Sequence, residues 1–169
     1  MCPEKQYKNS IKMDDITLFE DDNLGGIIRF KIAKADDVES IDDAIDGAIT
    51  TEITLKANCR WYEVYATLGT IGYAEPTEDT NSGTVYKRNI SAFSPKDTIE
   101  KTKIFNEMRN GKFIVDYTDS NKLRKIIGSI EEPVRFKYSL NTKSNIPELA
   151  GYNISFFGDG THPAYVYDI

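Results

Sequence analysis

Few side chains in this 169-residue chain are of the kinds that activate water, hold a metal or carry a covalent intermediate. The sole histidine, His162, stands in Gly158-Asp159-Gly160-Thr161-His162-Pro163. A lone imidazole beside proline reads as a turn residue, because acid–base and metal chemistry need partners at set spacings. Cys59 with His162 would supply a thiol–imidazole pair, yet no nucleophile motif surrounds either residue. Cys2 and Cys59 form neither a disulfide framework nor a zinc-ligand spacing, so a reducing compartment is expected. No catalytic, metal-binding or cofactor-binding residue is assigned: the chain reads as non-enzymatic and without cofactors. A hydrolase built on a carboxylate pair joined only by the fold is the enzymatic alternative.

Three other groups invite a functional reading. Asp36, Asp37, Glu39, Asp42, Asp43 and Asp46 crowd one connection. A calcium loop would need oxygen ligands at alternate positions, Gly at the sixth and Glu at the twelfth; neither Asp36 to Gly47 nor Asp14 to Gly25 has that pattern. A solvated acidic face is the simpler reading. The run Glu75, Pro76, Thr77, Glu78, Asp79, Thr80, Asn81, Ser82, Gly83 carries nothing apolar to bury and reads as a mobile hairpin tip. Trp61, Tyr62 and Tyr65 are stacking residues, but Trp61 and Tyr65 would share one strand face, which favours packing over a base or sugar platform.

The elements that position these groups are mostly strands. Residues 16–19, 26–33, 52–56, 60–66, 70–73, 84–93, 113–117, 123–130, 134–140, 152–157 and 164–167 carry β-branched and aromatic residues between turn signals. In 26–33, Ile28, Phe30 and Ile32 share one face; in 134–140, Val134, Phe136, Tyr138 and Leu140 alternate with polar residues. The spacing of 52–56 and 60–66 suits a hairpin, and 164–167 an edge strand. The segment 34–49 reads as an ordered acidic loop. One helix is predicted at about 95–110, capped by Ser94, opened by Pro95 and Asp97, showing Ile104, Phe105 and Met108 as its apolar face, and closed by a left-handed residue at Asn110-Gly111. The expected fold is mainly β with one α-helix: a β-sandwich or barrel with a flanking helix. Residues 1–13 are expected to form a flexible N-terminal arm and 14–169 a single domain.

Composition agrees, with 40% hydrophobic and 28% charged residues, in the range of a folded chain. The net charge of −6 sits in residues 1–56, which hold 13 acidic and 7 basic side chains, against 14 of each in 57–169. With no basic run, tight nucleic-acid binding is disfavoured. No apolar stretch suggests a membrane span or a secretion signal, so no membrane partner is expected.

The stretches Phe105-Asn106-Glu107-Met108-Arg109-Asn110-Gly111-Lys112-Phe113, Leu123 to Pro133, Gly151-Tyr152-Asn153-Ile154-Ser155-Phe156-Phe157-Gly158 and His162-Pro163-Ala164-Tyr165 mark a likeness. With Leu18-Phe19-Glu20-Asp21-Asp22-Asn23-Leu24-Gly25-Gly26, the chain resembles structural proteins from tailed phages and prophages of Bacteroidetes. The strand–helix–strand order is similar to the tail-tube fold shared by tube, tail-terminator and distal-tail proteins. The resemblance implies a virion protein made in the bacterial cytoplasm: a ring-forming homo-oligomer of the tail, neck or head–tail connector, contacting other tail or connector proteins. DNA would pass through its lumen without tight binding, the acidic connection 36–46 would face that lumen or a neighbouring subunit, and the hairpin at 75–83 would bridge rings. The alternative is a small ligand- or carbohydrate-binding β-barrel lined by Trp61 and Tyr65.

Overall fold

The computed structural model of the protein describes residues 15–16 and 22–169. The expected arm at 1–13 and nearly all of the strand expected at 16–19 lie outside the described residues. Strands β1 (Ile27–Lys34), β2 (Val38–Ser40), β3 (Ala48–Ile49), β4 (Thr54–Leu55), β5 (Tyr62–Val64), β6 (Gly72–Ala74), β7 (Thr77–Thr80) and β8 (Gly83–Pro95) precede the helix α1 (Ile99–Met108). After it come β9 (Lys112–Asp119), β10 (Arg124–Ile127), β11 (Val134–Asn141), β12 (Gly151–Gly160) and β13 (Tyr165–Tyr167). The fold is mainly β with one flanking α-helix, an open β-sandwich.

The sheet forks at β9. One edge of β9 carries β1 along its whole length, while the other carries β10 beside residues 115–118 and then β11 beside 112–113. One branch therefore runs β10–β13–β3 and the other β11–β12–β8, with β6 and β7 end to end along β8. The sheet does not close. Segment 65–71 spans the gap between β1 and β8: the Ile27 amide donates to the Ile71 carbonyl at 3.2 Å and the Thr67 amide to the Phe93 carbonyl at 2.9 Å.

Alternation along the strands sends Phe30, Ile32, Ile90, Val115, Val134, Phe136, Ile154 and Phe156 into one main core. Phe156 meets Phe136 at 5.0 Å between ring centroids and stands edge-on to Phe113 at 5.6 Å and Phe30 at 6.0 Å. Such pairs add about 0.5–1.5 kcal/mol each beyond area burial. The helix covers one side of this core with Phe105, whose ring packs on Phe136, Tyr138 and Tyr152 at 5.3, 5.5 and 4.9 Å. A second core lies on the opposite sheet face, where residues 35–55 fold back and set Ala35, Val38, Ile49 and Ile53 on Ala33, Ile114, Ile126 and Tyr167. Because β9 is covered on both faces, residues 113–117 are all buried.

Several local expectations are corrected. Ile28 is 46% exposed, because a register shift between Ile27 and Arg29 turns Ile27 inward instead. Residues 52–56 and 60–66 do not form a hairpin: β4 pairs with β2 and β5 with β1, each finding a partner that continues a core. Ser94 and Pro95 extend β8 against Tyr152 and Gly151, so the sheet ladder outcompetes the helix signal. The helix starts four residues later, capped by Thr98, whose side chain accepts from the Lys101 amide at 3.1 Å. Ile104 is 51% exposed, leaving Phe105 and Met108 to face the core. Neither Asn110 nor Gly111 is left-handed; a Cβ at 111 would lie 2.6 Å from the Phe113 ring, so glycine serves close packing there. The connection 34–49 contains a 3-10 turn, Ala35–Asp37, and two short strands. β13 is no edge, since β10 and β3 flank it.

Candidate functional site

Two polar clusters and one uncovered sheet face stand out from the packed framework. The first cluster lies on the outer face of β1, β9 and β10. Asp116 is 2% exposed, held by Arg124 through Nε at 2.9 and 3.1 Å and Nη2 at 2.6 Å, with Lys31 Nζ at 3.3 Å. A buried carboxylate is tolerable only when paired in this way. The hydrogen bonds to Asp116 push the Arg124 pKa further up against the opposing cost of burial. Both cations rest on aromatic faces: Arg124 lies 4.3 Å from the Tyr167 ring and Lys31 5.2 Å from the Trp61 ring. Arg29, Phe30, Glu63 and Thr118 complete a depression of about 150 Å³ over this pair. The cluster ties β1, β9 and β10 to Trp61 and to Tyr167 of β13.

The second cluster lies where β8, β12 and the β10–β11 turn meet. Arg88 takes an inward position of β8 beside Ile90 and Ala92 and is 1% exposed. Its Nη2 donates to the Glu132 and Asp159 carbonyls at 3.2 and 3.1 Å and lies 3.9 Å from the Glu132 carboxylate, while among the described residues Nε and Nη1 have no partner. Gly160 makes room for it: a Cβ there would lie 2.2 Å from Arg88 Nη2. The Glu132 carboxylate accepts from the Thr161 amide at 2.9 Å and hydroxyl at 2.7 Å, and faces His162 Nε2 at 3.4 Å. Burial opposes the charged form of Glu132, but the Thr161 hydrogen bonds, with His162 and Arg88 beside it, hold its pKa below the usual range. His162 stacks on Tyr165, ring centroids 4.8 Å apart. Cys59 lies against Asp37 instead, so the thiol and imidazole form no pair; burial, then Asp37, push the thiol pKa up.

These clusters were missed in the sequence because each is assembled from distant strands. A signal existed in β8, where Arg88 interrupts the inward series ending Ile90, Ala92, Ser94, and in β12, where the inward Gly158 stands opposite Arg88 and Gly160 opposite Tyr86.

The groups singled out in the sequence fall as follows. Asp36, Glu39, Asp42, Asp43 and Asp46 are exposed on the outer covering and Asp37 is half-buried, with the Lys56 amide donating to its carbonyl at 2.9 Å. Glu75 does not belong to the hairpin tip: its carboxylate accepts from the Tyr73 hydroxyl and, at 2.7 Å, from the Ala164 amide. Burial and then this carboxylate raise the Tyr73 pKa. Pro76, Glu78, Asp79, Asn81 and Gly83 are exposed on an ordered hairpin with a two-residue turn, Asn81-Ser82, and a Lys87–Glu78 ion pair. Trp61 packs at the edge of the second core and Tyr65 is 76% exposed; neither lines the depression over Asp116 or the one beside Phe157.

The third feature is the outer face of β11, β12 and β8. Arg135, Lys137 and Ser139 of β11 lie beside Phe157, Ser155 and Asn153 of β12, which lie beside Asn89, Ser91 and Phe93 of β8. Among the described residues nothing packs over these side chains as residues 35–55 pack over β9 and β10. An open depression of about 470 Å³ sits at one end, lined in part by Lys112, Arg135, Phe157 and Asp159.

No protein-family model matches this chain, and searches of curated proteins and of solved structures return no match. Among the described residues no helix is long and apolar enough to cross a membrane, which leaves membrane-spanning strands unaddressed.

Proposed function

We propose that this chain is a non-enzymatic structural subunit of a phage virion, which assembles with copies of itself into a ring of the tail, neck or head–tail connector and contacts adjoining rings. The observation that carries this reading is the unfinished branch β11–β12–β8. Among the described residues its outer face is uncovered, and it ends in a hairpin, β7 with the start of β8, that projects a row of threonines and acids and buries no apolar side chain fully. β7 pairs only with β8 among the described residues, so its other edge offers free backbone donors and acceptors. A two-stranded ribbon is marginal alone, and a free edge is a template for another chain. The resemblance to tail proteins supplies the particular assembly, and a ring is the closed outcome of head-to-tail contacts. In this reading Pro76, Glu78, Asp79, Asn81 and Gly83 reach an adjoining ring, and the acidic segment 36–46 faces either the lumen, where it repels DNA, or the next subunit.

Mass photometry and negative-stain microscopy across a concentration series test the proposal. Rings or stacked tubes are expected. A species that stays monomeric at the highest concentration counts against it and favours the small-ligand-binding alternative.

A further inference from the structure

We infer that the uncovered outer face of β11, β12 and β8 seats the acidic segment 36–46 of a second copy of this chain, joining subunits head to tail. The inference rests on the ring-assembly reading above and specifies which surfaces meet.

Two observations carry it. Among the described residues, the outer face of the sheet is finished on one branch by 35–55 and left bare on the other, so one covering serves one of two outward stretches of sheet. The charges on the covering and on the bare side are opposite. Residues 35–61 hold seven acidic and two basic side chains, with Asp36, Glu39, Asp42, Asp43 and Asp46 exposed. The bare side holds Arg135 and Lys137 on β11 with Lys112 opposite Arg135, against Asp159; Lys87 is already paired with Glu78. Glu131 lies at the rim, and Glu132 is turned toward Thr161 and Arg88.

The centre of the bare face suits a docked segment. Ser91, Ser155, Asn89 and Asn153 are small and polar, and Phe157 is a half-buried aromatic with Lys137 Nζ 4.6 Å from its ring centroid. An acidic segment set there meets cations at its edge and small polar side chains between the Phe157 and Phe93 rings. Acidic and basic patches at different positions on one chain make a heterologous contact, the kind that generates rings when the rotation closes. Opposite charge steers the encounter and fixes register, and the contact weakens as salt rises.

The test uses charge reversal on the full chain. Arg135→Glu with Lys137→Glu, and separately Asp42→Lys with Asp43→Lys, alter exposed positions, and circular dichroism with a urea midpoint near the parent value shows that each variant folds. Each double variant is expected to raise the concentration for half-assembly by about tenfold or more, and the quadruple variant to return to near the parent value, since every interface then carries both reversals. Double variants that assemble like the parent overturn the inference and leave the ring reading standing. A quadruple variant as defective as the doubles also overturns it, because charge pairing would not then be the cause. A parent protein that never assembles removes both.

Discussion

The two branches that leave β9 are built from similar strands and are finished differently. On the β10–β13–β3 branch the chain covers its own outer face: Ile114, Ile126 and Tyr167 are buried beneath residues 35–55, and the buried carboxylate of Asp116 on neighbouring β9 is held by two cations. On the β11–β12–β8 branch the same face keeps Arg135, Lys137, Asn153 and Asn89 in solvent. Both branches share the inward core, so both are stable as sheet. The difference lies in whether the second face is closed by residues 35–55 or, among the described residues, left bare. A sheet with polar outward residues can stand bare to water. Here the bare branch also carries the projecting hairpin and a free strand edge, so the surfaces open to a partner collect on one side of the fork.

The comparison can be broken by mutation, and the largest effect is expected where both branches meet. Phe156→Ala removes the ring that touches Phe30, Phe113 and Phe136, and should cost about 4 kcal/mol in a urea titration of dilute protein. Ile126→Ala opens the second core alone and should cost about 3 kcal/mol, with hydrogen exchange rising in 35–55 while β11 and β12 stay protected. If β12 exchanges as fast as the covering, the two faces are not separate units.

Glu132→Ala leaves the Arg88 guanidinium without its carboxylate. Because Glu132 is partly exposed, about 2 kcal/mol is expected, below the roughly 3–5 kcal/mol of a fully buried pair. The Arg88→Met, Glu132→Leu double variant should recover part of that loss, since it removes the buried charge as well. The same carboxylate gives a pH dependence. Glu132 and Asp97 titrate below their ordinary range when folded: Glu132 against burial, through Thr161, and Asp97 through hydrogen bonds from Tyr152 and Thr102. The unfolded chain then binds more protons, so this stabilisation is present above the unfolded pKa and is lost as pH falls through the folded one. The urea midpoint should decline below about pH 4.5. Glu132→Gln should start lower at neutral pH and decline less steeply. The smallest effect is expected on the bare face, where Lys137→Ala should change stability by under about 0.5 kcal/mol.

The architecture was legible because period-2 alternation survives wherever one face is buried, as in Val134, Phe136 and Tyr138; it fails at Leu140, expected on the same face but 44% exposed near the end of β11. What escaped was decided by pairing. Ile27 rather than Ile28 turns inward because of a bulge that no composition marks, and Ser94-Pro95 has the signature of a helix start until Gly151 and Tyr152 arrive from over fifty residues away to extend the strand. β4 and β5 lie close in sequence, yet each joins a different sheet neighbour. The acidic covering was visible as charge, but its position over Ile114 and Ile126 was not, because Val38, Ile49 and Ile53 lack a regular period. Glu75 read as part of a solvated tip, and only the fold brings the Ala164 amide to it.

The most direct test of the unfinished-branch account is hydrogen exchange of the full chain at concentrations below and above assembly. Amides with outward-facing free positions on β7, residues 77–80, together with the acidic segment 36–46, should gain protection on assembly, while β10 and β13 should change little. Assembly that protects neither of these segments, or protection that appears on the covered branch alone, would contradict it.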